Sequence, residues 1–136
     1  MLSSIFLLYS TAIISKVFFI TAGTFGVTAL YGYATKKDLS SLGNILFMAL
    51  IGLVIATVVN IFMKSAMFDL ILSYIGVIIF VGLTAWDSQK IKHMMMVQQD
   101  ADESAQKLAL IGALSLYLDF INLFLYLLRI FGRSDD

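Results

Sequence analysis

The 136-residue chain is 60% hydrophobic and 13% charged, with a mean hydropathy of +0.95, whereas a soluble domain carries about a quarter charged residues. Nine basic residues balance nine acidic ones, so no basic field exists to attract nucleic acid. Cysteine is absent, which removes disulfides and thiolate metal sites, and the composition is that of a protein whose solvent is lipid.

The apolar runs come in chain order. Met1 to Ser15 is uncharged but, at fifteen residues, short for a span. It reads as a partial segment (1–15) with a turn near Ser10 and Thr11, and it lacks the basic stretch that opens a secretory signal. A methionine placed directly inside an apolar run leads us to expect a chain that begins partway through a larger bundle, and a short re-entrant piece would read the same. Val17 to Thr35 then gives nineteen residues without a charge, Leu42 to Met63 twenty-two, and Leu70 to Trp86 seventeen. Leu108 to Leu128 gives twenty-one with a single charge, Asp119. A bilayer core of about 30 Å needs roughly 20 helical residues and accepts about 17. The runs therefore predict an all-α polytopic bundle, one membrane domain over 1–136, with spans near 16–35, 42–63, 68–87 and 108–131. Strands of a membrane barrel would alternate strictly, and these runs do not.

Three connections follow: Lys36 to Asp38, Lys64 to Asp69, and a long third loop from Asp87 to Lys107. Two and three lysines in the first and third loops, against one in the second, place those two on the cytoplasmic side. Arg129 and Arg133 conflict with this if the last segment crosses fully. Either that segment is re-entrant or broken, or the upstream loops set the orientation. Small residues at helical spacing (Ala22, Gly26 and Ala29, then Ala49, Gly52 and Ala56) predict faces where helices approach closely.

Asp119 is the informative residue. A carboxylate at membrane depth costs about 2.5–3.5 kcal/mol on insertion scales, so it must face a polar cavity, meet a partner or stay protonated. A proton switch or an ion ligand is natural chemistry there. The structural alternative is an Asp that restarts a helix, with Asn122 as its local hydrogen-bond partner. Asp87 closes the third run in Trp86-Asp87-Ser88-Gln89-Lys90. Alone it is an interfacial acid beside lysines. Beside Asp119 it would form a pair that cannot ionise twice cheaply, able to hold one proton or a hard cation such as Ca²⁺ through its oxygens. Asn60 is a candidate for a bond across helices, and Lys16 for a side chain reaching an interface. His93 reads as a solvated loop residue, Met94 to Met96 as resting on lipid or loosely packed, and the Asp100, Asp102, Glu103 stretch as a hydrophilic loop. No nucleophile elbow, phosphate-binding glycine loop or zinc-protease signature occurs, so the chain is not expected to be an enzyme or to require a cofactor.

Ala113 to Gly132, ALSLYLDFINLFLYLLRIFG, resembles the C-terminal signature of the Bax inhibitor-1 family, the transmembrane Bax inhibitor motif proteins. Ile20 to Ser40 and Ile75 to Lys92 resemble the family in the right order, in particular its bacterial inner-membrane branch. The resemblance implies the C-terminal part of a bundle of about seven helices. It implies an inner-membrane location, or an endomembrane in a eukaryote, and a pH-sensitive Ca²⁺ leak; eukaryotic members suppress cell death. The family's proposed sensor, two carboxylates whose deprotonation opens a path for Ca²⁺, maps onto Asp87 and Asp119. The first helices of the family pattern, one of which supplies a basic partner, are missing here. The alternatives are a non-conducting stress-regulatory protein that binds membrane partners such as a protease, or an inactive fragment.

Overall fold

The computed structural model describes residues 11–97 and 103–134. Four helices account for nearly all of them: α1 (Thr11–Ala34), α2 (Ser40–Met63), α3 (Ala66–Val97) and α4 (Glu103–Ser134). Each is long and apolar enough to cross a membrane, and no strand occurs among the described residues. The expectations for residues 1–10, for Asp100 and Asp102, and for the side chains of Met95, Met96, Glu103 and Arg133 lie outside what is described.

The helices differ from the apolar runs at their ends. Thr11, near which a turn was expected, is helical and belongs to α1. α3 does not stop at Asp87 but continues ten residues to Val97, and α4 starts at Glu103. Charge ends a run of lipid-soluble residues without ending a helix: Gln, Lys, Met, Glu and Ala are all good helix formers. Asp87 and His93 therefore stand on a helix rather than in a loop.

The connection from α2 to α3 is two residues long. Lys64 adopts the left-handed conformation (φ 54°, ψ 36°) and its N–H donates to the Asn60 carbonyl at 2.7 Å. The Asn60 side-chain oxygen accepts from the Ser65 N–H at 3.2 Å. Ser65 Oγ then accepts from the Phe68 N–H at 3.1 Å, the bond of an N-cap. Asn60 thus closes its own helix end and does not bond across helices as expected.

α3 is the central helix: it packs on each of the other three, α1 also packs on α4, and α2 joins the bundle chiefly through α3. The shared core takes Val17 from α1, Leu53 from α2, Leu72, Ile79, Phe80 and Leu83 from α3, and Leu123, Phe124, Leu127 and Leu128 from α4. Phe18 and Phe25 of α1 meet Phe120 of α4 edge to face, with centroids 5.8 and 5.4 Å apart. Outside this core the exterior is apolar, with Phe19, Val27 and Phe62 among its most exposed side chains, as lipid requires. Hydroxyls fold back on their own helices, Thr21 onto Val17, Thr57 onto Leu53, Ser73 onto Asp69 and Thr84 onto Phe80, so little polar surface meets hydrocarbon.

The small-residue faces are realised in part: Ala56 packs against the core and the Ala29 carbonyl accepts from Ser88 of α3. Ala22, Ala49 and Gly52 are exposed, and a Cβ added at Gly26 or Gly52 would meet nothing within 4 Å. Close approach occurs instead at Gly32, against the Ala85 backbone, and at Gly43, against the Trp86 ring. Periodicity tells which residues share a face, but not which face has a neighbour.

α4 is one continuous helix, and Arg129 near its end lies 3.7 Å from Asp69 at the start of α3. Arg129 is thus at the end of the bundle opposite Lys36, Lys37 and Lys90. Of the two alternatives for the last segment, a broken or re-entrant helix is not seen: the helix is unbroken and long and apolar enough to cross.

Candidate functional site

The turn of α3 from Trp86 to Lys90 sends successive side chains to different elements, because each residue advances about 100° around the helix. Trp86 packs over Gly43 of α2. Asp87 points toward α4, and Ser88 Oγ donates to the Ala29 carbonyl of α1 at 2.7 Å. Gln89 reaches the α1–α2 connection: its Nε2 donates to the Lys37 carbonyl at 2.6 Å and its Oε1 accepts from the Leu39 N–H at 2.9 Å. Lys90 turns back, with Nζ 3.1 Å from Asp87 Oδ1 and 3.9 Å above the Trp86 ring.

On α4, Asp119 is 6% exposed, and Asp87 opposite it is 8% exposed. The two carboxyls come within hydrogen-bonding reach of each other. Asp119 Oδ2 is buried without a hydrogen-bond partner. Only one ammonium, that of Lys90, bears on both acids. The described residues therefore supply one positive charge for two carboxyls. A buried oxygen left without a donor costs about 1–3 kcal/mol, more if charged, and a proton or a cation would relieve it.

The depth of the pair follows from Gln89. Two residues of helix rise separate Asp87 from Gln89, about 3 Å, and Gln89 is bonded to the α1–α2 connection. Asp119 is central in its own apolar run, and the packing sets it close to the level of that connection, beyond which α3 and α4 continue. A cavity of about 380 Å³ lies at this level between α3 and α4. Asp87, Lys90, His93 and Ser115 form its polar wall, and Ile91, Met94, Ile111 and Gly112 its apolar one. Asp87 thus lines a space that His93 and Lys90 also reach.

The other sequence candidates have local roles. Asn122 Nδ2 donates to the Leu118 carbonyl at 2.8 Å, a bond within its own helix, so it is not the partner of Asp119. Lys16 is exposed on α1. Asp38, outside the spans, accepts from the Ser40 N–H at 3.0 Å, and this bond holds its carboxyl below the usual range. Gln89 and Ser88 went unremarked in the sequence. Their only signal was being polar and uncharged in the turn that carries Asp87. No group of three or more potential metal-ligating side chains occurs among the described residues. A resident Ca²⁺ takes six to eight oxygens, more than these two carboxyls supply.

The model of the family described as inhibitor of apoptosis-promoting Bax1 matches residues 1–136. The chain belongs to the Bax inhibitor family. Among its relatives, the inner membrane protein YbhL of Escherichia coli is 58% identical over 97% of this chain and 57% of its own length. A protein of Rickettsia prowazekii is 49% identical over 99% of this chain and 57% of its own length. A membrane protein of Streptococcus pyogenes is 43% identical over 98% of this chain and 58% of its own length. The chain therefore spans a little over half the length of these Bax inhibitor relatives. Its four apolar helices and an E. coli inner-membrane relative together put it in a bacterial inner membrane.

Proposed function

We propose that this Bax inhibitor chain carries the pH-sensitive element of a cation leak, with Ca²⁺ as the transported ion and Asp87 and Asp119 as the residues that respond to pH. One observation supports this above the others: two buried carboxyls from different helices face each other with one ammonium, that of Lys90, beside Asp87, and one oxygen of Asp119 has no donor. While the pair holds a proton, it ties α3 to α4. Loss of that proton leaves two like charges at close range, which repel or recruit a cation. The cavity beside Asp87 gives such a cation an approach from the end of the bundle that bears Lys36, Lys37 and Lys90. Flux then rises with pH. The role is transport rather than catalysis.

The test is Ca²⁺ flux into dye-loaded liposomes carrying the purified protein, across a pH series. Asp87→Asn and Asp119→Asn, which cannot ionise, should each flatten the pH dependence at the low-flux level. An unaltered pH profile in both variants refutes the assignment. A purified protein that passes no ion at any pH, but retains membrane partners such as a protease on affinity capture, favours the non-conducting reading.

A further inference from the structure

Asp87 and Gln89 are two residues apart on α3, about 200° around its axis. They therefore pull on opposite sides of one helix. Asp87 meets Asp119 of α4 on one side. On the other, the Gln89 carboxamide is 3% exposed and bonds twice to the backbone of the α1–α2 connection, to the Lys37 carbonyl and the Leu39 N–H. Both contacts are to main chain, so the carboxamide recognises a backbone geometry rather than a particular side chain. Leu39 itself is buried, which anchors that backbone in turn.

A roll of α3 by about 20° would carry a side-chain head about 6 Å from the helix axis through roughly 2 Å. That exceeds the tolerance of a hydrogen bond, and it moves the two sides in opposite directions. Fixing one side fixes the other. Ser88, between them in sequence, holds the Ala29 carbonyl and resists the same motion.

We propose that Gln89 is a positioning residue for the carboxyl pair: by clamping the α1–α2 connection it sets the roll of α3 that presents Asp87 to Asp119. The consequence for transport rests on the function proposed above; the positional claim does not. Among the described residues, the charged and titratable groups around this turn include Asp87, Lys90 and His93 on α3, Asp119 on α4, Lys37 and Asp38 on the connection, and Lys92 of α3 over the Tyr33 ring of α1. A changed roll alters the spacing of the first four, so the pH response moves without any ionisable group being removed.

The chain has no cysteine, so Asp87→Cys with Asp119→Cys creates one pair of thiols that a short bifunctional reagent can bridge. In membranes, adding Gln89→Ala should slow bridging about fivefold for each of its two lost hydrogen bonds, up to about twenty-five-fold, by the change that such a loss produces in an equilibrium. It should also speed hydrogen exchange at the Leu39 amide. Gln89→Glu keeps the acceptor for Leu39 but sets an oxygen against the Lys37 carbonyl, and it should fall between. It carries the test if Gln89→Ala does not fold. Thr57→Ala, which loses a bond inside α2, should change neither readout. With native carboxyls, Gln89→Ala should shift the pH midpoint of flux, which Thr57→Ala should not. Bridging as fast as in the parent overturns the proposal, whatever the flux does. Flux that ignores Asp87→Asn and Asp119→Asn overturns the transport reading and leaves the bridging result to judge Gln89.

Discussion

Replacing Gly32 by alanine tests the packing near the level of the bundle that holds the carboxyls. A Cβ at Gly32 would lie 2.7 Å from the Ala85 carbonyl carbon and 2.8 Å from its Cα, and closer still to the carbonyl oxygen. Ordinary contact begins at 3.4 Å, so α1 and α3 must part by at least 0.7 Å. The obstacle is backbone, and no rotamer change can relieve it. Overpacking of this kind costs about 1–3 kcal/mol. The same separation stretches the 2.7 Å bond from Ser88 to Ala29 beyond good geometry, losing about another 1 kcal/mol. Against this, alanine gains up to about 1 kcal/mol of helix propensity, leaving a net loss of about 1–3 kcal/mol. Gly26→Ala is the control: it meets nothing within 4 Å and gains propensity alone, so it should be neutral or slightly stabilising. Reversible unfolding in mixed micelles would compare the two. Equal stability of Gly32→Ala and Gly26→Ala would refute the close approach of α1 to α3.

Three more outcomes are expected. Lys64→Gly should stabilise by up to about 1 kcal/mol in the same assay, since a left-handed backbone strains any residue with a Cβ. Leu123→Ala, fully buried in the shared core, should cost about 2–5 kcal/mol, while Leu114→Ala, 56% exposed, should change little. The Asp38 carboxyl is held low by the Ser40 N–H, so its stabilising bond is complete above the unfolded value of about 3.9 and is lost as pH falls through a lower one. The Ser40 amide resonance should titrate with that lower midpoint, and a midpoint at the ordinary carboxylate value would contradict the bond.

The spans were legible because lipid imposes a length on apolar runs, and Asp119 was legible because a charge inside such a run is costly. Other features depended on geometry that a linear pattern does not contain. The ends of α3 and α4 were hidden because residues such as Gln89 and Lys90 leave hydrocarbon without leaving a helix. Asn60 and Asn122 were expected to reach other groups, yet each satisfies backbone atoms nearby, which is the cheaper partner for a short amide side chain. The glycines with a neighbour pressed against them are Gly32, Gly43, Gly76, Gly82 and Gly112 rather than Gly26 and Gly52, since a stripe becomes an interface only where another helix lies against it. Asp119 is mid-run by count but level with the α1–α2 connection by packing, a displacement set by the stagger of α4 against α3. Gln89 was the largest omission: its role exists only once the connection folds over it.

The central claim is that Asp87 and Asp119 act as one unit, and a double-mutant cycle on pH-dependent Ca²⁺ flux tests it most directly. If the carboxyls share one proton or one ion, Asp87→Asn, Asp119→Asn and the double variant should lose the pH response to the same extent, because removing either member already removes the unit. Additive losses, with each single variant keeping part of the response, would show two independent acids and contradict the account.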